Sequence, residues 1–219
     1  MLLFVIVVVA RVLGGAAGHF EAQKQSSDHG LDTQVFLGEL RRFERDSASR
    51  AQSARNSYLS GLAASGWNSL FDPLRLAGDS DLVESFRIIS KSKAALEQYG
   101  QQVFASQQAN RNQIGSLNIS APEKTEMLSS YGRASRSNEP MLELEAQALS
   151  EAEKIISLLA ARKKWGVENS KIVFYDDEDR SRVSAHFQRI EEISRQQQGI
   201  QDAIVREYGA AVGTGSAPH

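Results

Sequence analysis

The chain has 219 residues, of which 41% are hydrophobic and 24% charged, with four prolines and no cysteine. These proportions are typical of a folded protein and favour helices over sheets. A formal net charge of −2 supplies no basic field for nucleic acid. The absence of cysteine excludes disulfides, thiol nucleophiles, cysteine-based zinc sites and an N-terminal lipidated cysteine.

The N-terminus is the apolar run MLLFVIVVVA, followed by Arg11 and the small residues VLGGAAG. Such a run is typical of an export signal, although no Lys or Arg precedes it. Residues 1–18 would form a helix about 27 Å long at roughly 1.5 Å per residue, marginal for a hydrocarbon core of about 30 Å. A cleaved signal peptide, a retained membrane anchor and a buried helix of a soluble protein stay open. The first two predict a periplasmic, inner-membrane-anchored or secreted protein.

Residues 19–30 are polar and aperiodic, which indicates a linker to a bundle domain at 31–208. Steps of four and three predict the first helix, along the stripe Phe36, Leu40, Phe43, Ser47, Ala51, Ala54, Tyr58 and Leu62. Gly66 and the pair Asp72-Pro73 end it. The second helix is predicted to begin near Asp81, because Asp81 and Glu84 form a variant of the capping box. Its heptad seam is Leu82, Ile89, Leu96 and Val103.

The third helix has a clear start in SAPE, where Ser120 is the predicted N-cap and Glu123 completes a capping box. Pro140 is expected to kink or restart this helix. Beyond Pro140, an amphipathic pattern recurs every seven residues at Leu142, Leu149 and Ile156. The sequence therefore predicts a mainly α fold, a bundle of long antiparallel helices.

A small β-hairpin is predicted at about 165–175, where WGV and KIVF flank the polar ENS. A lone hairpin is marginal in water, so Trp165, Val167, Ile172 and Phe174 should pack on the bundle. A last amphipathic helix follows, with Val183, Phe187, Ile190 and Ile193 in its stripe. Residues 209–219 are interpreted as a flexible tail.

The four consecutive acids at residues 176–179 are the most chemical-looking stretch. A calcium loop needs alternating acids and a glycine, and this stretch has neither. Asp176 or Asp177 can instead cap the last helix, while the remaining acids meet its positive dipole end. Adventitious cation binding and a catalytic role are the weaker alternatives. No metal or cofactor site is predicted.

Motifs for catalysis are missing from the sequence. The histidines are His19, His29, His186 and His219, and no pair has the spacing of a helical zinc site. His186, the one histidine on a strong helix, is interpreted as a packed or surface residue that could pair with an acid. There is no nucleophile elbow, phosphate-binding loop or dinucleotide-binding glycine motif. These observations favour a non-enzymatic protein.

Two sets of residues are candidates for interaction. Arg41, Arg42 and Arg45 belong to a basic segment with interleaved acids, which is typical of a solvated, salt-bridged helix face and alternatively of a contact with anionic lipid, glycan or a partner. The aromatic candidates are Trp67, Phe71, Trp165 and Phe174. Trp67 and Phe71 are read as a helix-end plug, with a ligand box as the alternative.

The order of an export segment, the early helix VFLGELRRF, long helices, VENSKIVF and a closing amphipathic helix resembles a family of functionally uncharacterised bacterial envelope lipoproteins. The chain lacks that family's lipidated cysteine, so lipid anchoring does not carry over. The resemblance implies an envelope location and no mechanism.

The sequence thus favours a structural or protein-interaction module of the cell envelope. Its partner would be an envelope protein or a second copy of the chain, with the membrane reached through the N-terminal segment if that segment is uncleaved. A sensory or small-ligand-binding helical bundle outside the cytoplasm is the alternative, and it needs a polar-lined space between helices.

Overall fold

The computed structural model describes residues 30–213, and their side chains from residue 37 to residue 206. The predictions for residues 1–18, for all of the linker except Gly30 and for residues 214–219 therefore lie outside the described residues. Within the described part of the chain, no helix is both long and apolar enough to cross a membrane.

The fold is helical with one small antiparallel hairpin before the last helix, which confirms the predicted fold class. The long helices are α1 (Gly30–Ser65), α3 (Val83–Ser116), α5 (Asn138–Arg162) and α6 (Asp177–Gly213). Shorter helices are α2 (Pro73–Gly78) and α4 (Ala121–Ser135), and 3-10 turns lie at Trp67–Ser69 and Ser80–Leu82. The strands are β1 (Trp165–Glu168) and β2 (Lys171–Phe174).

Two predictions about helix ends were wrong. The last helix was expected to end before residue 209, but α6 continues to Gly213. Asp81 was expected to cap the second long helix, but Asp79 does so, because its carboxylate accepts from the backbone N–H groups of Glu84 (2.9 Å) and Ser85 (2.7 Å). Asp81 has φ of 53° and pairs instead with Lys163, whose Nζ lies 2.6 Å from its Oδ1.

The described residues fall into two compact units. Unit 1 comprises Asn56–Gly100 and Met141–Gln198, and unit 2 comprises residues 30–55, 101–140 and 199–213. The apolar core of unit 1 is built from α2, α3, α5 and α6 and includes Leu76, Ile88, Ile89, Ile155, Ile156 and Val183. The core of unit 2 is smaller and consists of Leu40, Phe43, Ile114, Leu117, Met127 and Tyr131.

Residues 66–82, which connect α1 to α3 in unit 1, are tied together by the side chain of Arg75. Its Nε donates to the Ser69 carbonyl (2.8 Å), and its Nη1 lies 3.1 Å from the Asp79 carboxylate. Its Nη2 donates to the Leu70 carbonyl and to Ser85 Oγ. Burial alone would raise the pKa of Asp79, but the hydrogen bonds from Ser85, Glu84 and Arg75 lower it overall. The connection is therefore held by one guanidinium and one carboxylate.

The hairpin has a two-residue turn, in which Asn169 and Ser170 both adopt positive φ, 51° and 58°. Such turns match the right-handed twist of the strands. Trp165 faces Phe174 and Val167 faces Ile172 across the ladder, so these four side chains share one face, as predicted. Trp165, Ile172 and Phe174 pack against the unit 1 core.

Helix α6 begins with the acidic stretch. Asp176 Oδ1 accepts from the N–H groups of Glu178 (2.9 Å) and Asp179 (3.2 Å), so Asp176 is the N-cap, one of the two residues predicted. A hydrogen bond from Lys164, with those of the helix N–H groups, lowers the pKa of Asp176. Within the described part of the chain, no group of three or more His, Asp or Glu side chains could hold a metal ion.

Candidate functional site

Helix α5 carries a carboxyl group on its buried face. Its buried positions include Met141, Leu144, Glu145, Ala148 and Leu149, and Glu145 is only 8% exposed. Met141 and Leu149 lie one turn before and one turn after Glu145 on the same face of the helix. The sequence therefore places an ionisable group in the middle of an apolar stripe, where burial is costly unless the group is neutral or well paired.

Two other long helices bring polar side chains to Glu145, and a third places a ring behind one of them. Tyr58 of α1 donates its hydroxyl to Glu145 Oε2 at 3.4 Å, which is long for an O–H···O bond. Tyr99 of α3 stacks on Tyr58, with ring centroids 5.0 Å apart and an interplanar angle of 16°. Gln197 of α6 lies against the carboxyl group. We call these residues, Tyr58, Tyr99, Glu145 and Gln197, the Glu145 layer.

The electrostatics of the layer are dominated by burial. Burial raises the pKa of Glu145 to about 7, while the neighbouring Gln197 amide and Tyr58 hydroxyl oppose the rise. Burial and the nearby Glu145 carboxyl also raise the pKa of Tyr58. The Gln197 amide is close enough to act on the carboxyl group, yet its Nε2 completes no hydrogen bond of normal geometry. The layer can therefore bind or release a proton near neutral pH.

Unit 2 holds a second polar group, which we call the Asn110 cluster: Ser47, Arg50, Asn110, Gln113 and Tyr131. The Asn110 amide nitrogen donates to Ser47 Oγ and to Tyr131 Oη, both at 2.9 Å. Its amide oxygen accepts from two nitrogens of Arg50, and Arg50 Nη2 also donates to Gln113 Oε1 at 2.8 Å. The amide of Asn110, which is 3% exposed, thus has every hydrogen-bonding position occupied.

The four aromatic residues predicted for interaction come together in unit 1. Trp67, Phe71, Trp165 and Phe174 are all half-buried against the same core. Phe71 meets Phe187 edge-on, with ring centroids 5.0 Å apart, and Trp165 Nε1 donates to the Leu159 carbonyl at 2.8 Å. The α2 helix also contacts β1. These side chains hold the hairpin and the α1–α3 connection onto the core, as the plug interpretation expected for Trp67 and Phe71.

Beside the hairpin lies a cleft lined by Leu158, Leu159, Arg162, Lys164, Trp165, Phe174, Asp179 and Val183. Its volume of about 10 Å³ is no more than one water molecule needs. Asp179 is 6% exposed, and its Oδ1 lies 3.5 Å from Arg162 Nε while its Oδ2 has no hydrogen-bond partner. The cleft is therefore too small to hold a metabolite.

His186 does pair with a distant acid. Its Nδ1 lies 2.6 Å from Glu151 Oε2, and Lys154 Nζ lies 2.6 Å from the other oxygen of the same carboxylate. Burial would raise the pKa of Glu151, but the bonds from Lys154 and His186 lower it overall. The carboxylate is shared between Lys154 of α5 and the imidazole of His186, and the contact with His186 joins α5 to α6.

Arg41, Arg42 and Arg45 lie on α1 in unit 2. The side chains of Arg42 and Arg45 are each 75% exposed and lie 3.9 Å from Asp46. Arg41 lowers the pKa of Glu44, although burial of Glu44 raises it overall. Interleaved acids therefore offset this basic segment, as expected for a solvated face.

Neither Glu145 nor Asn110 was predicted to lie in a polar layer, although such a layer between helices was the alternative to exposed faces for the glutamine clusters, which include residues 196–198. The predicted pattern on α5 followed Leu142 and Leu149 at a spacing of seven, whereas the buried stripe passes through Glu145 at spacings of three and four. Asn110 was not among the predicted buried positions, although it is one turn before Ile114, which is fully buried. In each case the signal was a polar residue that stays in phase with buried neighbours along a helix.

Comparison of the chain with protein-family models, curated proteins and solved structures gives no match.

Proposed function

We propose that the protein is a non-enzymatic interaction module of the cell envelope, and that unit 1 docks a partner protein through the surface around its α1–α3 connection and hairpin. The observation that carries this proposal is a set of exposed apolar side chains in or directly after those segments: Leu74 (67% exposed) in the connection, Val83 (67%) and Phe86 (37%) in the first turn of α3, and Tyr175 (67%) after β2. Their neighbours Trp67 and Trp165 are half-buried, and aromatic residues of this kind are enriched in protein interfaces.

The charges in the same segments favour a protein partner over a polyanion. Lys163 pairs with Asp81, Lys164 with Asp176 and Arg87 with Glu84. Because each of these cations has an acidic partner, the surface offers apolar area with locally balanced charge. Anionic lipid and nucleic acid require an excess of basic residues, whereas a complementary apolar protein surface does not.

Photo-cross-linking in native envelopes tests the docking surface. A photoreactive phenylalanine analogue is placed at Leu74, Val83 or Tyr175, and at the exposed Glu97 of α3 as the matched control. We expect one discrete adduct from the three test positions and none from Glu97. An adduct of twice the mass of the isolated protein would indicate a second copy as the partner. Equal labelling at Glu97 would refute the proposal.

A charge substitution tests whether the apolar surface itself makes the contact with the partner. Val83→Glu should remove the adduct formed from Leu74, since a carboxylate in an apolar interface is strongly unfavourable. The unfolding temperature should stay close to that of the unchanged protein, because Val83 is largely exposed. Persistence of the adduct at full yield would show that the apolar surface does not make the contact.

The envelope location rests on residues 1–18 and is tested separately. The mass of the protein isolated from its native cells should be lower than the encoded mass if the segment is cleaved. Full-length protein in the membrane fraction would instead support a retained anchor. Full-length protein in the soluble cytoplasmic fraction would overturn the location.

A sensory helical bundle is the second candidate, and the Glu145 layer favours it because it is a polar layer between helices. A small-ligand sensor should be stabilised by at least one component of a metabolite pool. A thermal-unfolding screen of the full chain measures this directly. The absence of any shift would remove metabolites from this candidate.

A further inference from the structure

The Glu145 layer is notable for how little satisfies its carboxyl group. An ionised carboxylate has about four acceptor positions. Tyr58 supplies one hydroxyl at 3.4 Å, and Gln197 Nε2 completes no hydrogen bond. Along α5 the flanking turns present Met141 and Leu149, both buried. The surroundings therefore suit an uncharged carboxyl group better than a carboxylate.

Protonation changes the hydrogen-bonding needs of the group. A neutral carboxyl group has one O–H donor and fewer acceptor positions to fill. Tyr58 can continue to donate to one carboxyl oxygen while the other oxygen carries the proton. Ionisation removes that donor and leaves a charge inside apolar packing, where water is needed to solvate it.

We propose that the Glu145 layer is a proton-operated switch, closed and dry when Glu145 carries its proton and locally opened to water when it does not. The opening would loosen the packing of α5 against Tyr58 of α1 and Gln197 of α6. The switch stands without the docking surface proposed above, and it gives the sensory candidate a definite ligand, the proton.

The direction of the effect follows from the pKa of Glu145, which rises from 4.5 to about 7 on folding. Between these values the folded chain holds a proton that the unfolded chain has lost. Stability is therefore complete below the lower value, falls as the pH rises through about 7, and then levels off. The full shift corresponds to about a 300-fold change in the folding equilibrium constant.

Besides Glu145, the layer consists of two phenols and one amide, and neither kind of group ordinarily titrates between about pH 4 and about pH 8. Tyr58 faces Glu145 from α1 and Tyr99 stacks behind it from α3, and phenols ordinarily titrate near pH 10. Gln197, which faces the carboxyl group from α6, is neutral. The buried neighbours of Glu145 on α5 are apolar. A response that Glu145→Gln removes can therefore be assigned to this carboxyl group.

Titration of the full chain tests the switch directly. With glutamate labelled at the carboxyl carbon, the resonance that disappears in Glu145→Gln is assigned to Glu145. We expect its midpoint in the unchanged protein to be near pH 7, well above the value of 4.5 for an ordinary glutamate. A midpoint below about pH 5 would overturn the proposal. If Glu145→Gln fails to fold, the up-shifted glutamate resonance of the unchanged protein still decides the question.

Hydrogen exchange tests whether the proton controls opening. After correction for intrinsic rates, the opening constant of α5 amides near Glu145 should rise at least tenfold between about pH 5 and about pH 8. Glu145→Gln should change less than about threefold over the same range. Glu143→Gln, an exposed substitution on the same helix, should behave as the unchanged protein. Equal pH dependence in all three proteins would refute the switch.

Discussion

The Asn110 cluster of unit 2 and the Glu145 layer of unit 1 both place polar groups inside apolar helix packing, and they differ in how far their hydrogen bonds are completed. Asn110 fills its amide oxygen with two Arg50 nitrogens and its amide nitrogen with Ser47 and Tyr131. Glu145 receives one long bond from Tyr58. A completed network fixes side chains in one arrangement, whereas a buried polar group with few partners is costly to keep in the core.

The two polar groups also differ in where their charged or ionisable side chain lies. Arg50 stays half-buried at the edge of its cluster, so its guanidinium keeps partial access to water. Burial raises the pKa of Tyr131, while the hydrogen bond from Asn110 and the charges of Arg111 and Arg50 oppose the rise. In unit 1 the ionisable group itself is at the centre. The buried polar group of unit 2 is therefore a neutral amide with complete hydrogen bonding, whereas that of unit 1 is an ionisable carboxyl group with incomplete hydrogen bonding.

Removal of the central amide should have the largest effect. Asn110→Ala would leave Ser47, Tyr131 and Arg50 without their shared partner, and buried groups left unpaired cost about 1–3 kcal/mol each. We expect the free energy of unfolding to fall by about 3 kcal/mol, measured by urea denaturation. Asn112→Ala on the same helix is the matched control, because Asn112 is exposed and bonds only Gln108. Similar losses in both would contradict the central role of Asn110.

Removal of the polar pair in unit 1 should have the opposite sign. The double substitution Tyr58→Phe with Glu145→Leu eliminates both the buried carboxyl group and the hydroxyl that would otherwise lose its acceptor. At about pH 8 we expect the free energy of unfolding to rise by about 2 kcal/mol, since apolar replacements of buried ionised groups are often stabilising. The gain should shrink toward about pH 5, where Glu145 is protonated. A loss at high pH would show that the layer is well satisfied when ionised.

Glycine substitutions compare how tightly the helices approach in the two units. A Cβ added at Gly61 of α1 would lie 2.9 Å from the Ala95 Cβ of α3, whereas one added at Gly132 of α4 would have no other atom within 4 Å. Gly61→Ala should therefore cost about 1–2 kcal/mol through overpacking. Gly132→Ala should gain about 0.5–1 kcal/mol from helix propensity. Thermal unfolding of both variants checks the opposite signs.

The hairpin turn should show the smallest effect. Ser170 has φ of 58°, a conformation that glycine adopts without steric cost. Ser170→Gly would create the Asn-Gly pair favoured in two-residue hairpins and should stabilise the protein by about 0.5 kcal/mol. Ser170→Val is the contrasting variant, because a β-branched residue is strained there. Equal stability of the two would mean that the hairpin does not contribute to the folding of unit 1.

Local chemistry made several features predictable. Ser120 accepts from the backbone of Glu123, and the Glu123 side chain bonds back to Ser120, as the capping box implied. The stripe along α1 correctly included Ser47 and Tyr58 as buried positions. Each of these features depends on residues within a few positions of one another, so a spacing rule was enough.

The failures have a different physical origin. Asp79 and Asp81 are both acids preceding the same helix, and only the course of the connection decides which one caps it. Arg75 sets that course by holding Asp79 toward Ser85. The Glu145 layer likewise needs the mutual placement of four helices, which no single helix encodes. Sequence spacing shows that Glu145 is in phase with buried residues, but it does not show what the other helices bring to it.

The role of Arg75 also bears on how the chain survives in the presence of proteases. Residues 66–82 contain only short helical turns, and a segment of this kind resists cleavage only while its backbone is held in place. The Arg75 side chain donates to the carbonyl groups of Ser69 and Leu70 and to the carboxylate of Asp79, which caps α3. If Arg75 were lost, residues 66–82 would become the first site at which proteases cleave the described part of the chain.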